Sequence, residues 1–303
     1  MKKKKLLMIV NPRSGKAKIK NDALKIIQIF SDAGFEVTVY PTQASGDATI
    51  KAQSIKEGKY DRIVVCGGDG TLNEVITGVM RSGIKCTLGY IPSGTLNEWS
   101  TGLKISKNFT KAAEDIINGR EIYLDIGKFD DRYFSYTASF GAFTEASYSA
   151  PQGVKNVFGE AAYYFEGIKG IGNIKPIHLK FKCDGREIED DFAFGAISNS
   201  MSVGGIVKFD NSVVKLNDGK FEVLLIKNPT NIIQLQSIVD GILRQDLSAK
   251  EFEFFHTHEI TVTGGDKLPW TLDGEFCEGK DSVTLTNVPS AIRLVVPQST
   301  KIK

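Results

Sequence analysis

Through the first third of the chain, short aliphatic runs alternate with helical stripes. Leu6–Val10 reads as a buried strand, Asn11-Pro12-Arg13-Ser14-Gly15-Lys16 as a turn, and Ala23, Ile26, Ile27, Phe30 and Ala33 as one helix face closed by Gly34. The same unit recurs. Val37–Tyr40 predicts a strand, Ala48–Lys56 a helix, Arg62–Cys66 another strand, and Leu72, Val75, Ile76, Val79 and Met80 the apolar face of the next helix. Leu88–Ile91 repeats the strand, and Phe109, Ala112, Ala113, Ile116 and Ile117 the helix, ended by Asn118-Gly119. Repeated βα alternation predicts a parallel sheet with helices on both faces, whose ligands sit outside the carboxyl ends of the strands. The turns at 11–16, 41–46, 67–71 and 92–99 all fall at that edge.

From about Ile122 the pattern changes to period two, punctuated by Phe129-Asp130-Asp131-Arg132-Tyr133, Cys183-Asp184-Gly185-Arg186 and Asn217-Asp218-Gly219-Lys220. An antiparallel sandwich or barrel follows. One helical stripe interrupts it between Val154 and Gly172, with Phe158, Ala161, Ala162, Phe165 and Ile168 in register; it reads as a helix packed on the sheet or as an apolar wall for a lipid chain. Ile292–Val296 predicts one more strand, in either domain.

A length of 303 residues suggests two domains, and 41% hydrophobic residues suffice for their cores. No run reaches the length of a membrane span, and Leu6–Val10 is too short for a signal-peptide core, so a cytoplasmic protein is expected. Cys66, Cys86, Cys183 and Cys277 are scattered without metal-binding spacing, which predicts buried free thiols. A net charge of +2 argues against nucleic acid as a partner. Lys2–Lys5, Lys16, Lys18, Lys20 and Lys25 nevertheless concentrate positive charge near the start, either as a solvated face or as an attraction to an anionic membrane.

Chemistry is concentrated in Cys66-Gly67-Gly68-Asp69-Gly70-Thr71-Leu72-Asn73-Glu74. Three glycines at a strand-to-helix turn let a ligand approach the backbone, and successive N–H groups before a helix favour phosphate. Asp69 is the informative residue, because a carboxylate beside phosphates is repulsive unless a divalent metal or a transferable proton lies between them. Neither common nucleotide fingerprint fits: G-x-G-x-x-G would need glycine at Asn73, and a P-loop would need glycine at Val10.

Five ordered motifs carry a resemblance. Asn11–Lys16, Gly67–Glu74, Pro92-Ser93-Gly94-Thr95-Leu96-Asn97-Glu98, Leu216-Asn217-Asp218-Gly219 and Leu272-Asp273-Gly274-Glu275 are similar in order and spacing to the diacylglycerol kinase catalytic family, in particular to soluble bacterial lipid kinases of the DgkB/YegS type. The resemblance implies an ATP-binding α/β domain with a parallel sheet, of NAD kinase/diacylglycerol kinase-like fold, over residues 1–125, to which 289–303 return. It implies an antiparallel β-sandwich for the lipid substrate over 126–288, with a cleft between the two. The implied reaction is transfer of the ATP γ-phosphate to a lipid hydroxyl, most simply diacylglycerol to phosphatidic acid, with Mg²⁺. Carried over by position, Asn11, Pro12, Arg13, Ser14, Gly15, Thr42, Gly67, Gly68, Asp69, Gly70, Thr71, Leu72, Asn73 and Thr95 line the nucleotide. The expected catalytic acids are Asp69, which works with the metal, Glu275, the general base, and Glu98, while Asp218 with Lys215 and Lys220 holds a structural Mg²⁺. Glu98 stands where the family usually has aspartate, reaching one methylene further, and Ser93 and Trp99 also depart from the usual residues, which would retune the acceptor pocket. The implied partners are ATP and a lipid at the inner face of the membrane, with peripheral contact, no nucleic acid, and room for a homodimer.

Two other readings fit parts of the pattern. An NAD kinase-like enzyme with a soluble acceptor would need no apolar cleft wall. A non-catalytic lipid- or nucleotide-binding regulator would gain nothing from the acids at 69, 218 and 275. On the residues alone, Glu275 and Asp218 read as ordinary turn carboxylates. His256 and His258 read as surface residues on one face of a strand.

Overall fold

The computed structural model describes residues 3–17, 19–95, 97–142, 175–200, 202–203, 207–208, 215–265 and 267–300. The stripe expected between Val154 and Gly172 lies outside them, as do Lys2, Lys18 and Leu96. The chain forms two compact units, residues 1–126 with 289–303, and residues 127–288.

In the first unit β1 (Lys4–Val10), β2 (Phe35–Pro41), β3 (Arg62–Gly67) and β4 (Thr87–Pro92) pair in parallel in the order β2-β1-β3-β4. Arg293 and Leu294, near the end of β17 (Ser282–Val296), add a parallel edge beside β4. The final apolar run is thus a strand of this unit. Leu6, Leu7, Met8 and Ile9 have no exposed surface, as continuous aliphatic runs in a doubly covered parallel sheet require. Of the helices, α1 (Ile19–Asp32) packs with α5 (Phe109–Asn118), and α2 (Asp47–Gln53) with α3 (Asp69–Ser82). A short α4 (Glu98–Gly102) follows the fourth turn. Strand order reverses between β1 and β3, so the crevice at their carboxyl ends is the switch point where open α/β sheets bind ligands.

The second unit is antiparallel. Its sheet runs β16 (Glu275–Cys277), β15 (Trp270–Leu272), β7 (Thr137–Gly141), β9 (Arg186–Ser198), β8 (Ile177–Cys183), β14 (Glu259–Gly264) and the first residues of β17. β9 also pairs with β12 (Phe221–Lys227), and β12 with β13 (Phe252–Thr257). β6 (Arg132–Phe134) closes the expected hairpin with the end of β5 (Arg120–Phe129). Two further short strands, β10 (Ser202–Val203) and β11 (Val207–Lys208), pair with each other. Phe129, Phe134, Phe140, Phe181, Phe192, Phe221 and Trp270 fill the core, with Phe140 edge-on to Trp270 at 4.9 Å.

One element has no counterpart in the sequence reading: helix α6 (Ile232–Arg244), whose Ile238 and Ile242 pack on Phe194, Leu224 and Ile226. Its outer side carries exposed Ile232, Ile233 and Leu243. The described Cys66, Cys86, Cys183 and Cys277 are buried free thiols, as expected.

Candidate active site

Three turns interlock at the carboxyl edge of the first unit. Asn11 follows β1; its Nδ2 donates to Thr71 Oγ1 at 3.0 Å and its Oδ1 accepts the Arg13 N–H at 3.0 Å. Asparagine suits this place because it folds its own turn and reaches the neighbouring one at once. Gly15 has φ +51°, and a Cβ on it would fall on the Ser93 carbonyl oxygen. Gly68 and Gly94 meet backbone to backbone. The Ser93 N–H donates to the Gly67 carbonyl at 2.8 Å, and the Thr42 N–H to the Val10 carbonyl at 2.8 Å. Buried Asn97 closes the fourth turn with Gly94 N–H donating to its Oδ1 at 2.9 Å and its Nδ2 donating to the Gly94 carbonyl at 2.8 Å.

Asp69 opens α3, where the helix dipole favours an anion. Its Oδ2 accepts the Glu98 N–H at 3.0 Å, while Oδ1 is buried without a hydrogen-bond partner among the described residues. Burial pushes the Asp69 carboxyl above the ordinary aspartate range, against backbone N–H groups at Glu98, Trp99 and Asn97 that pull it down. Glu98 therefore touches Asp69 through its backbone, and the extra methylene of its side chain leaves that bond unchanged.

Several residues of the motifs build the turns rather than face their mouth. Leu72 was expected to line the nucleotide; its side chain is 1% exposed and its N–H is committed to the Gly68 carbonyl at 3.1 Å, so it belongs to the core. Ser93 and Trp99 are likewise buried, so they shape the fourth turn through packing. Thr42 and Thr71 are buried and Arg13, Gly70 and Thr95 exposed, with Pro12, Ser14, Gly68 and Asn73 between. Glu74 has a task that the pattern gave no sign of. Its Oε1 accepts the Gly46 N–H at 2.9 Å and its Oε2 the Ala48 N–H at 3.1 Å, capping α2, whose own cap residue is a glycine.

In the second unit, Asp273 and Gly274 form the two-residue turn between β15 and β16, with φ of +50° and +85°. The Asp273 carboxylate turns inward and accepts the N–H groups of Ser135 at 2.5 Å, Tyr136 at 2.9 Å and Thr137 at 3.0 Å. Glu275, two residues on, is exposed at the start of the edge strand β16. One carboxylate thus builds the hairpin and the other is displayed by it.

The Asn217–Lys220 turn lies just before β12. Exposed Asp218 accepts the Lys220 N–H on Oδ1 at 3.1 Å, and Lys215 is exposed as well. His258 lies in the corner after β13 rather than beside His256 within it, and its Nδ1 is 2.7 Å from the Gly219 carbonyl. The expectation of two rings on one strand face is therefore corrected, because the strand ends between them.

Among the described residues, no group of three or more His, Cys, Asp and Glu side chains is placed to hold a metal. A hard divalent cation can also be held by a single carboxylate with waters, backbone carbonyls and substrate phosphates. The partnerless Asp69 Oδ1 and the outward Asp218 carboxylate meet that description.

A carboxylate set among interlocked glycine turns at the switch point of a parallel sheet defines an enzyme that handles phosphates. Residues 5–129 match the diacylglycerol kinase catalytic domain, and residues 138–296 the YegS C-terminal NAD kinase beta sandwich-like domain. The chain is 31% identical to diacylglycerol kinase of Bacillus subtilis (strain 168) over 299 residues, 97% of each chain. It is 30% identical to diacylglycerol kinase of Staphylococcus aureus (strain MRSA252) over 97% of this chain and 93% of that one. The crystal structure of a diacylglycerol kinase from Bacillus anthracis str. Sterne shares the fold with a TM-score of 0.77 at 22% identity, over 99% of this chain and 100% of that one.

The chain belongs to the diacylglycerol kinase catalytic family. It is a lipid kinase, and the family implies use of ATP with a divalent metal. No helix among the described residues is long and apolar enough to cross a membrane.

Proposed function

We propose that the enzyme phosphorylates diacylglycerol, giving phosphatidic acid and ADP, with Mg²⁺ as its metal. The observation that carries the reading is Asp69, a carboxylate with one oxygen held by the Glu98 N–H and the other buried without a hydrogen-bond partner among the described residues, at the edge where the sheet reverses. In solution that carboxylate would repel a triphosphate. Mg²⁺ would supply charge neutralisation and alignment, which is most of what phosphoryl transfer asks for.

The protein's own part is positioning and proton transfer. Asn11–Gly15, Thr42, Gly67–Thr71, Asn73 and Thr95 would receive the nucleotide. Glu275 would accept the proton of the lipid hydroxyl as its oxygen bonds to the γ-phosphorus and the bond to ADP breaks. Its exposure at the start of β16, beside the Asp273-Gly274 turn, supports that role, since a base must reach the substrate. Asp218, with carbonyl groups of Lys215 and Lys220, would hold a second, structural Mg²⁺. Peripheral contact with the anionic inner face of the membrane, from the cytoplasm, belongs to the same proposal. A homodimer belongs to the same proposal and is checked by light scattering.

The deciding experiment incubates the protein with labelled ATP, Mg²⁺ and mixed micelles of diacylglycerol, phosphatidylglycerol, ceramide or a prenol. Labelled phosphatidic acid is expected. Label in another lipid, or in NAD without detergent, would move the acceptor assignment.

A further inference from the structure

The corner Thr257-His258-Glu259 between β13 and β14 joins three other stretches of the second unit. Thr257 Oγ1 lies 2.9 Å from Asp184 Oδ2 in the β8–β9 hairpin. The His258 carbonyl accepts the Asn287 N–H of β17 at 2.9 Å. The His258 ring, through Nδ1, meets the Gly219 carbonyl at 2.7 Å. A carbonyl oxygen only accepts, so the Nδ1 facing it carries a proton, and neutral His258 is the Nδ1–H tautomer.

The third bond matters because of which peptide it grips. The carbonyl of Gly219 and the N–H of Lys220 belong to one planar peptide unit and point in opposite directions. His258 holds the carbonyl end, and the N–H end donates to Asp218 Oδ1 at 3.1 Å. Gly219 sits at φ +74°, where glycine alone resists rotation weakly. Turning that peptide breaks both bonds together and releases the Asp218 carboxylate from its direction.

We infer that His258 is a positioning residue for the cation loop: by pinning the Gly219–Lys220 peptide it aims Asp218 and sets the loop's affinity for a divalent cation. The inference rests on the reading of Asn217–Lys220 as a metal loop. Neighbours that orient metal ligands typically change metal affinity by about 10- to 100-fold when removed.

Thermal unfolding of the full chain, titrated with Mg²⁺ from an EDTA baseline, tests it on wild type, Asp218→Ala, His258→Ala and His258→Asn. Wild type should gain stability with Mg²⁺ and Asp218→Ala should not. His258→Ala should need at least about tenfold more Mg²⁺, and His258→Asn, which keeps an N–H donor near Nδ1, should return to within about threefold of wild type. A wild-type protein indifferent to Mg²⁺ overturns the metal-loop reading itself. If wild type responds and Asp218→Ala does not, a wild-type titration by His258→Ala overturns the role of His258 alone. So does a His258→Asn protein that binds no better than His258→Ala. Should the alanine variant not fold, ¹⁵N NMR of the wild-type ring decides: an Nε2–H tautomer overturns the inference.

Discussion

Gly68 and Gly94 come so close that a side chain on Gly94 would start 2.5 Å from the Gly68 Cα and 2.7 Å from Asn97 Oδ1. Neither neighbour can yield, since one is backbone and the other closes the fourth turn. Gly94→Ala should therefore force the third and fourth turns apart, destabilising the protein by about 1 to 3 kcal/mol, the usual range for overpacking. Urea denaturation measures the loss, and the Michaelis constant for ATP should rise with it. A variant as stable as wild type would show that the contact is slack.

Asp69→Asn separates stability from activity. Burial raises the carboxyl's pKa, so the folded protein binds that proton more readily than the unfolded chain. The ligand-free enzyme accordingly loses stability as pH rises from the ordinary aspartate range through the raised value. Asparagine removes that loss, and its melting temperature at pH 7 should equal or exceed wild type. Turnover should fall by far more than tenfold, about 1.4 kcal/mol in the barrier. Activity within that limit would take Asp69 out of the mechanism.

Glu74→Ala should act on α2 and leave the phosphate-handling turns in place. Losing the acceptor for the Gly46 and Ala48 N–H groups removes a helix cap, at a cost of about 1 to 2 kcal/mol. Hydrogen exchange should quicken at residues 46–50 first. If turnover at saturating ATP collapses while stability holds, Glu74 has a direct chemical role instead.

Asp273 and Glu275 make the sharpest contrast, being two residues apart with opposite expectations. Asp273→Asn places an NH₂ group against a carboxylate site that receives three backbone N–H groups, so it should cost about 2 to 4 kcal/mol. Glu275→Gln changes an exposed tip and should leave the melting temperature alone. As the general base its loss should lower kcat by roughly 10² to 10⁴ with little change in the Michaelis constant for ATP. A near-normal kcat ends the assignment.

What the sequence made legible was whatever local chemistry dictates. The βα repeats, the turns at the sheet edge, the Asp273-Gly274 hairpin and the buried cysteines follow from periodicity and turn residues. Partners distant along the chain were not legible. Glu74 caps a helix from 26 residues away, and Asp273 reaches back 138 residues to Ser135. Leu72 sat in a functional motif yet serves the core, because a motif records spacing and not which way a side chain points.

Residues 289–303 complete the first unit, although everything from 127 to 288 is synthesised between them and the rest of it. On the ribosome, β4 must wait with an open edge until residues 289–296 emerge. An open strand edge is a template for wrong pairing. Removing the chain from residue 289 onward would thus damage the nucleotide-binding end, encoded first, more than the sandwich made just before the cut. A stop codon at position 289 should yield an aggregating product rather than a trimmed enzyme.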